Sequence, residues 1–132
     1  MGHIGLTPQT ATQLGGFKVQ GRNPEAVRAL LDDAVALEEA GAFAIVVECV
    51  PSSVGARITE QVSVPTIGIG AGPACDGQVL VFHDLVGLFE RFVPKFVKRY
   101  ANLADEIRTA VAAFRAEVEV GTFPGEEHQF GD

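Results

Sequence analysis

Glu48 stands near the end of an otherwise apolar run closed by proline, Ala42-Phe43-Ala44-Ile45-Val46-Val47-Glu48-Cys49-Val50-Pro51. A carboxylate there has two readings. Desolvation disfavours the charged form and tunes the group toward general base work. Alternatively, Glu48 makes an ordinary buried ion pair with an arginine. His3, between Gly2 and Ile4, fits either a pocket residue or a hydrogen-bonded structural one. His83-Asp84 offers a metal or acid–base pair, or a loop histidine beside an aspartate that caps a turn. His3, His83 and a carboxylate would supply the types for a two-histidine, one-carboxylate metal set, but no spacing enforces that grouping. Gly68-Ile69-Gly70-Ala71-Gly72-Pro73 invites a phosphate-binding reading. It lacks the G-x-G-x-x-G spacing and the downstream acid of a dinucleotide site. The better reading is a loop that passes close to a neighbouring strand or ligand. Cys49 follows Glu48, so on a strand it faces the other way and packs.

The surrounding elements have to position these groups. Met1 to Leu6 reads as a short strand stopped by Thr7-Pro8, followed by a polar loop from Gln9 to Arg22. Asn23-Pro24-Glu25 starts a helix, with Asn as cap and Pro at the first position. Val27, Leu30, Leu31, Ala34 and Val35 recur at helical spacing, and Gly41 is placed to stop it. The run through Glu48 is a strand buried on both faces, as parallel sheets require. Ser52 or Ser53 can cap a short helix carrying Val54, Ile58 and Val62. Val64 to Gly70 and Gly77 to Phe82 read as further strands. The last helix carries Leu103, Ile107, Ala110, Val111, Phe114 and Val118 as one stripe, with Asp105, Glu106 and Arg115 facing away. Gly121 to Asp132 is a polar tail ordered by packing. Alternation of this kind predicts an α/β fold with a parallel sheet, its polar loops at the C-terminal strand ends where such folds keep their chemistry.

Composition narrows the classes. The chain has 132 residues, 47% hydrophobic and 20% charged, which predicts one domain with a core. Ten Lys+Arg against 17 Asp+Glu leave a net charge of −7. With no basic run longer than Lys98-Arg99, nucleic acid and anionic membranes are poor partners. The uncharged stretch Gln61 to Cys75 is too rich in Gly and Pro to span a membrane, and Met1 to Gly5 does not resemble a signal peptide. Cys49 and Cys75 form no CxxC pair and fit reduced thiols in the cytoplasm.

Six stretches carry a resemblance: Gly2 to Gln9, Gly15 to Arg22, Glu48-Cys49-Val50-Pro51, Thr66 to Gly72, Asp76 to Val81 and Phe123 to His128. Taken together they resemble the ketopantoate hydroxymethyltransferase family of pantothenate biosynthesis. The resemblance implies a (β/α)8 TIM barrel of the phosphoenolpyruvate/pyruvate superfamily type. Such barrels need roughly 250 residues. Residues 1–132 would therefore be one partial domain, the C-terminal half of the barrel, with about the last four strands and the final helix.

The implied reaction transfers a hydroxymethyl group from 5,10-methylenetetrahydrofolate to 3-methyl-2-oxobutanoate, giving 2-dehydropantoate. A keto acid chelated to Mg2+ has an acidified C3–H. On the family pattern Glu48 is the proton acceptor and His3 lines the same pocket. The family's acidic Mg2+ ligands, and the serine and lysine that grip the keto acid, belong to the N-terminal half and are not matched here. The resemblance therefore implies no metal ligand in this chain and little activity alone, and a partner that is either a complementing N-terminal half or another copy. The alternative from another class is a non-catalytic half-barrel that serves assembly. Half a barrel would leave two free sheet edges, Met1–Leu6 and Val79–Phe82, and one uncovered apolar face, with Ile45, Val47, Ile67 and Ile69 or their alternates on it.

Overall fold

A computed structural model describes residues 1–10, 12–13 and 15–131. Ala11 and Leu14 of the expected loop and Asp132 of the tail lie outside the described residues. The chain divides into two compact units, Met1–Leu80 and Val81–Asp132.

The first unit contains four parallel strands, β1 (Gly2–Gly5), β2 (Ile45–Glu48), β3 (Thr66–Ile69) and β4 (Gly77–Gln78), in the spatial order β1-β2-β3-β4. Helices α1 (Pro24–Glu39) and α2 (Ser52–Gln61) make the first two crossovers. Strand order follows chain order without reversal, so no switch point of the doubly wound kind arises among these strands.

Helix α1 begins as its sequence requires. The Asn23 side chain accepts from the Ala26 N–H at 2.8 Å, and Pro24 occupies the first turn. The start of α2 corrects an expectation: Ser52 is its first residue, Pro51 precedes it, and no side chain caps it. The Pro51 carbonyl accepts from Val54 N–H at 2.9 Å and from Gly55 N–H at 3.0 Å and so opens the helix.

Register decides which residues share a face. Ile45 pairs with Gly2 and Thr66, and Val47 with Ile4 and Gly68. This face packs under the helices: Ile45, Val47 and Thr66 are fully buried and join Ile4, Leu30, Leu31, Ala34, Val54 and Ile58 in the core or beside it. His3, Val46, Glu48, Ile67 and Ile69 lie on the opposite face. The expected grouping of Ile45 and Val47 with Ile67 and Ile69 is therefore wrong, because residue 45 is in register with 66 and not with 67.

The fourth strand is also shorter than expected. The strand ends at Gln78, the last bond to β3 runs from Val79 N–H to the Gly68 carbonyl at 3.0 Å, and Phe82 opens a short helix, α3 (Phe82–Leu85), so Val79–Phe82 is not the second sheet edge; β4 is. A tight Thr66–Asp76 contact holds β4 in place. The buried Thr66 donates to Asp76 from its N–H at 2.8 Å and its hydroxyl at 3.0 Å. These two bonds, the backbone one first, hold the Asp76 carboxyl below the usual range.

In the second unit, α4 (Leu103–Val120) ends at Gly121 in a left-handed conformation. Arg108 grips Glu90 through two bonds, 2.6 and 3.0 Å. The tail folds back as expected: Phe123 packs against Phe114 and His128, with ring centroids 5.2 and 5.1 Å apart. The apolar stripe of α4, however, is open. Ile107 and Val111 are 50% and 60% exposed, and Ala104 is the buried residue of the helix.

Candidate active site

The face of the sheet away from the helices carries two polar side chains side by side. Glu48 is the last residue of β2, and His3 lies on β1, two residues before Glu48's register partner Gly5. Both therefore point to the same side, and His3 Nε2 lies 2.9 Å from Glu48 Oε2. With Glu48 ionised, Nε2–H donates to the carboxylate. The Glu48 side chain is 15% exposed and that of His3 31%, so the pair is shielded but reachable. The partner of Glu48 is thus an imidazole, not the arginine of the alternative reading.

The backbone fixes the carboxylate's position on both sides. The Glu48 carbonyl accepts from Leu6 N–H at 2.9 Å, and Cys49 N–H donates to the Ile69 carbonyl at 2.8 Å. Gln20 N–H reaches the Cys49 carbonyl at 2.9 Å and brings the polar loop over the end of β2. Gly5 sits at φ +90, and a Cβ there would overlap the Glu48 carbonyl oxygen. Only glycine lets β1 leave the sheet this close to Glu48.

Cys49 has φ 52, which breaks the strand directly after Glu48. Burial pushes its thiol up, the neighbouring Glu48 pushes it further, and Arg22 partly opposes both. Both cysteines are free thiols.

The glycine-rich loop behaves as a close-approach loop. A Cβ on Gly72 would strike Ser52 of α2, and Gln78 donates to the Gly72 carbonyl at 3.0 Å. His83 and Asp84 fall inside α3, within the second unit, and not in a loop. Among the described residues no group of three or more His, Cys, Asp or Glu could hold a metal ion, and no helix is long and apolar enough to cross a membrane. The resemblance puts His3 and Glu48 in one pocket, but the direct hydrogen bond between them was not read from the sequence. Its signal was two polar residues, each alone in an apolar strand, whose strands turn out to be neighbours.

Parallel strands joined by helices, with a carboxylate–imidazole pair near their C-terminal ends, define an α/β protein of the kind that keeps its chemistry at that end of the sheet. The model of the ketopantoate hydroxymethyltransferase family matches residues 1–126. The chain belongs to that family. It is 62% identical over 130 residues to the 3-methyl-2-oxobutanoate hydroxymethyltransferase of Syntrophobacter fumaroxidans, covering 98% of this chain and 46% of that protein. The protein of the same name from Heliobacterium modesticaldum is 63% identical, with 99% and 48% covered. For that of Moorella thermoacetica the values are 62%, 98% and 48%. The chain spans about half the length of the curated relatives it matches.

Proposed function

We propose that this chain forms the C-terminal half of a (β/α)8 barrel, residues 1–132 as one partial domain, in an enzyme that transfers a hydroxymethyl group from 5,10-methylenetetrahydrofolate to 3-methyl-2-oxobutanoate. The observation that carries this reading is the His3–Glu48 pair, held 2.9 Å apart on the sheet face that the helices do not cover. In a barrel the helices lie outside and the opposite face lines the interior. The unreversed strand order supports the same architecture.

Glu48 is the proton acceptor in this reading. It takes the C3 proton of the keto acid, and the C–H electron pair becomes the enolate. His3 holds Oε2 and leaves the other carboxylate oxygen free for the proton. C3 then bonds to the donor's methylene carbon, and both C–N bonds that held this carbon to the folate break. Water supplies the hydroxyl oxygen, and tetrahydrofolate leaves with one proton from C3 and one from water on its two nitrogens. The family resemblance implies Mg2+, but the described residues do not make a site for it, so its ligands would come from outside this chain. The free thiols of Cys49 and Cys75 suit a cytoplasmic enzyme.

The test is complementation. The chain alone should show no strong heat of Mg2+ plus 3-methyl-2-oxobutanoate binding in titration calorimetry, and no turnover. Adding the family's N-terminal half should restore turnover. Vigorous activity from the chain alone would overturn this reading. The exposed stripe of α4 and the two sheet edges favour a second reading, a half-barrel that serves assembly without catalysis. It predicts that no N-terminal half restores activity.

A further inference from the structure

Among the described residues Cys49 is the one non-glycine with a positive φ, 52, and it stands directly after Glu48. That conformation crowds a Cβ against the backbone, and glycine relieves it at no steric cost. The neighbouring strand has that relief. Glu48 is in register with Ile69, so the residues that follow them, Cys49 and Gly70, leave β2 and β3 at the same level. Both are left-handed, with φ 52 and 65. The sheet therefore needs a left-handed residue at this level, and on β3 a glycine supplies it. On β2, beside the carboxylate, a residue with a side chain stands there and carries the strain. Strain of this kind gathers where a site needs one fixed geometry.

Three backbone bonds converge on the turn. The Glu48 carbonyl accepts from Leu6 N–H at 2.9 Å, Cys49 N–H donates to the Ile69 carbonyl at 2.8 Å, and the Cys49 carbonyl accepts from Gln20 N–H at 2.9 Å. They tie it to β1, to β3 and to the polar loop. Together they hold Cys49 in the left-handed region, and its Cβ narrows that region to a small well. A glycine would roam across a much wider one. The Cα–Cβ bond of Glu48 starts one residue before this turn, and from it the carboxylate reaches His3 Nε2 at 2.9 Å.

We propose that Cys49 is a positioning residue for Glu48. Its Cβ stiffens the left-handed turn after β2 and so aims the carboxylate, first at His3 and then at the proton it takes. The aim at His3 is independent of the transferase reading above, and the effect on the reaction rests on it. The thiol performs no chemistry in this role.

The test compares Cys49→Gly, which removes the Cβ, with Cys49→Ala, which keeps it. Long-range 1H–15N NMR of the full chain reads the pair without substrate. In the wild type and in Cys49→Ala, His3 should hold the Nε2–H tautomer that donation to Glu48 requires. In Cys49→Gly the two tautomers should mix. Urea unfolding should show Cys49→Gly no less stable than Cys49→Ala, because the strain is gone; the aim and the stability then move in opposite directions, which a merely structural role would not produce. With the N-terminal half added in Mg2+ buffer, Cys49→Gly should slow exchange of the keto acid's C3–H in D2O about tenfold or more, with KM within a few-fold of the wild type. Cys49→Ala should rescue the rate. A single His3 tautomer in Cys49→Gly would overturn the proposal and leave the transferase reading untouched. Tautomers mixed as much in Cys49→Ala as in Cys49→Gly would also overturn it, by placing the effect in the thiol. Tautomers mixed in Cys49→Gly alone, with C3–H exchange unchanged, would sink Glu48 as the base and leave the aim at His3 standing.

Discussion

Gly5→Ala separates backbone strain from steric overlap beside the candidate base. Gly5 has φ +90, a region that costs an L-residue about 1–2 kcal/mol. The added Cβ would also overlap the Glu48 carbonyl oxygen, which pushes β1 from β2 and breaks the 2.9 Å bond from Leu6 N–H. Losing that bond costs about 1 kcal/mol more. A stiffer unfolded chain returns roughly 0.4–1 kcal/mol, so the net loss is about 2 kcal/mol. Gly41→Ala is the control: its φ is +89, and a Cβ there meets nothing within 4 Å. It should cost about 1 kcal/mol less than Gly5→Ala, since only the strain remains. Urea unfolding followed by circular dichroism, at one fixed protein concentration, measures both. Equal losses for the two variants would refute the overlap argument, and with it the claim that β1 must crowd Glu48.

Three further outcomes follow from named contacts. Asp76 has a folded-state pKa below its unfolded one, so its contribution is present above about pH 4 and is lost as pH falls through the folded value. Asp76→Asn should flatten the acid limb of stability against pH, and an unchanged limb would contradict the Thr66 contact. Cys49 should be alkylated slowly by iodoacetamide, and Glu48→Gln should speed the reaction because one of the two influences raising the thiol is removed; no acceleration would mean that Glu48 carries no charge there. The chain alone should self-associate through its open edges β1 and β4 and the bare stripe of α4. A few hundred Å2 of uncovered apolar surface costs several kcal/mol at about 25 cal/mol per Å2. A cooperatively melting monomer in light scattering would contradict this.

Local signals were the readable ones. Asn23-Pro24-Glu25 announced α1, Gly41 marked its end and follows it with φ +89, and the β-branched run announced β2. Each depends on neighbours in sequence. Register depends on contacts between distant segments, so the sheet faces were not readable, and Ile45 and Val47 were grouped wrongly with Ile67 and Ile69. The strand pattern of Val79 to Phe82 was overridden in the same way. Gln78 is in register with Gly68, one residue before β3 ends; the last bond to β3 comes from Val79 N–H, and the chain then turns into α3. Glu48 stood out because a carboxylate in an apolar run is chemically conspicuous. Its pairing with His3 needed the β1–β2 register, and the match of Cys49 with Gly70 needed that of β2 with β3.

The central claim is that Glu48 takes the proton from C3 of 3-methyl-2-oxobutanoate. Proton NMR in D2O, with the chain complemented by the family's N-terminal half in Mg2+ buffer and no folate present, follows that proton directly. The wild type should wash out the C3–H signal, and Glu48→Gln should slow the exchange by roughly 10²–10⁴-fold. Exchange by the Gln variant within a few-fold of the wild type would contradict the assignment.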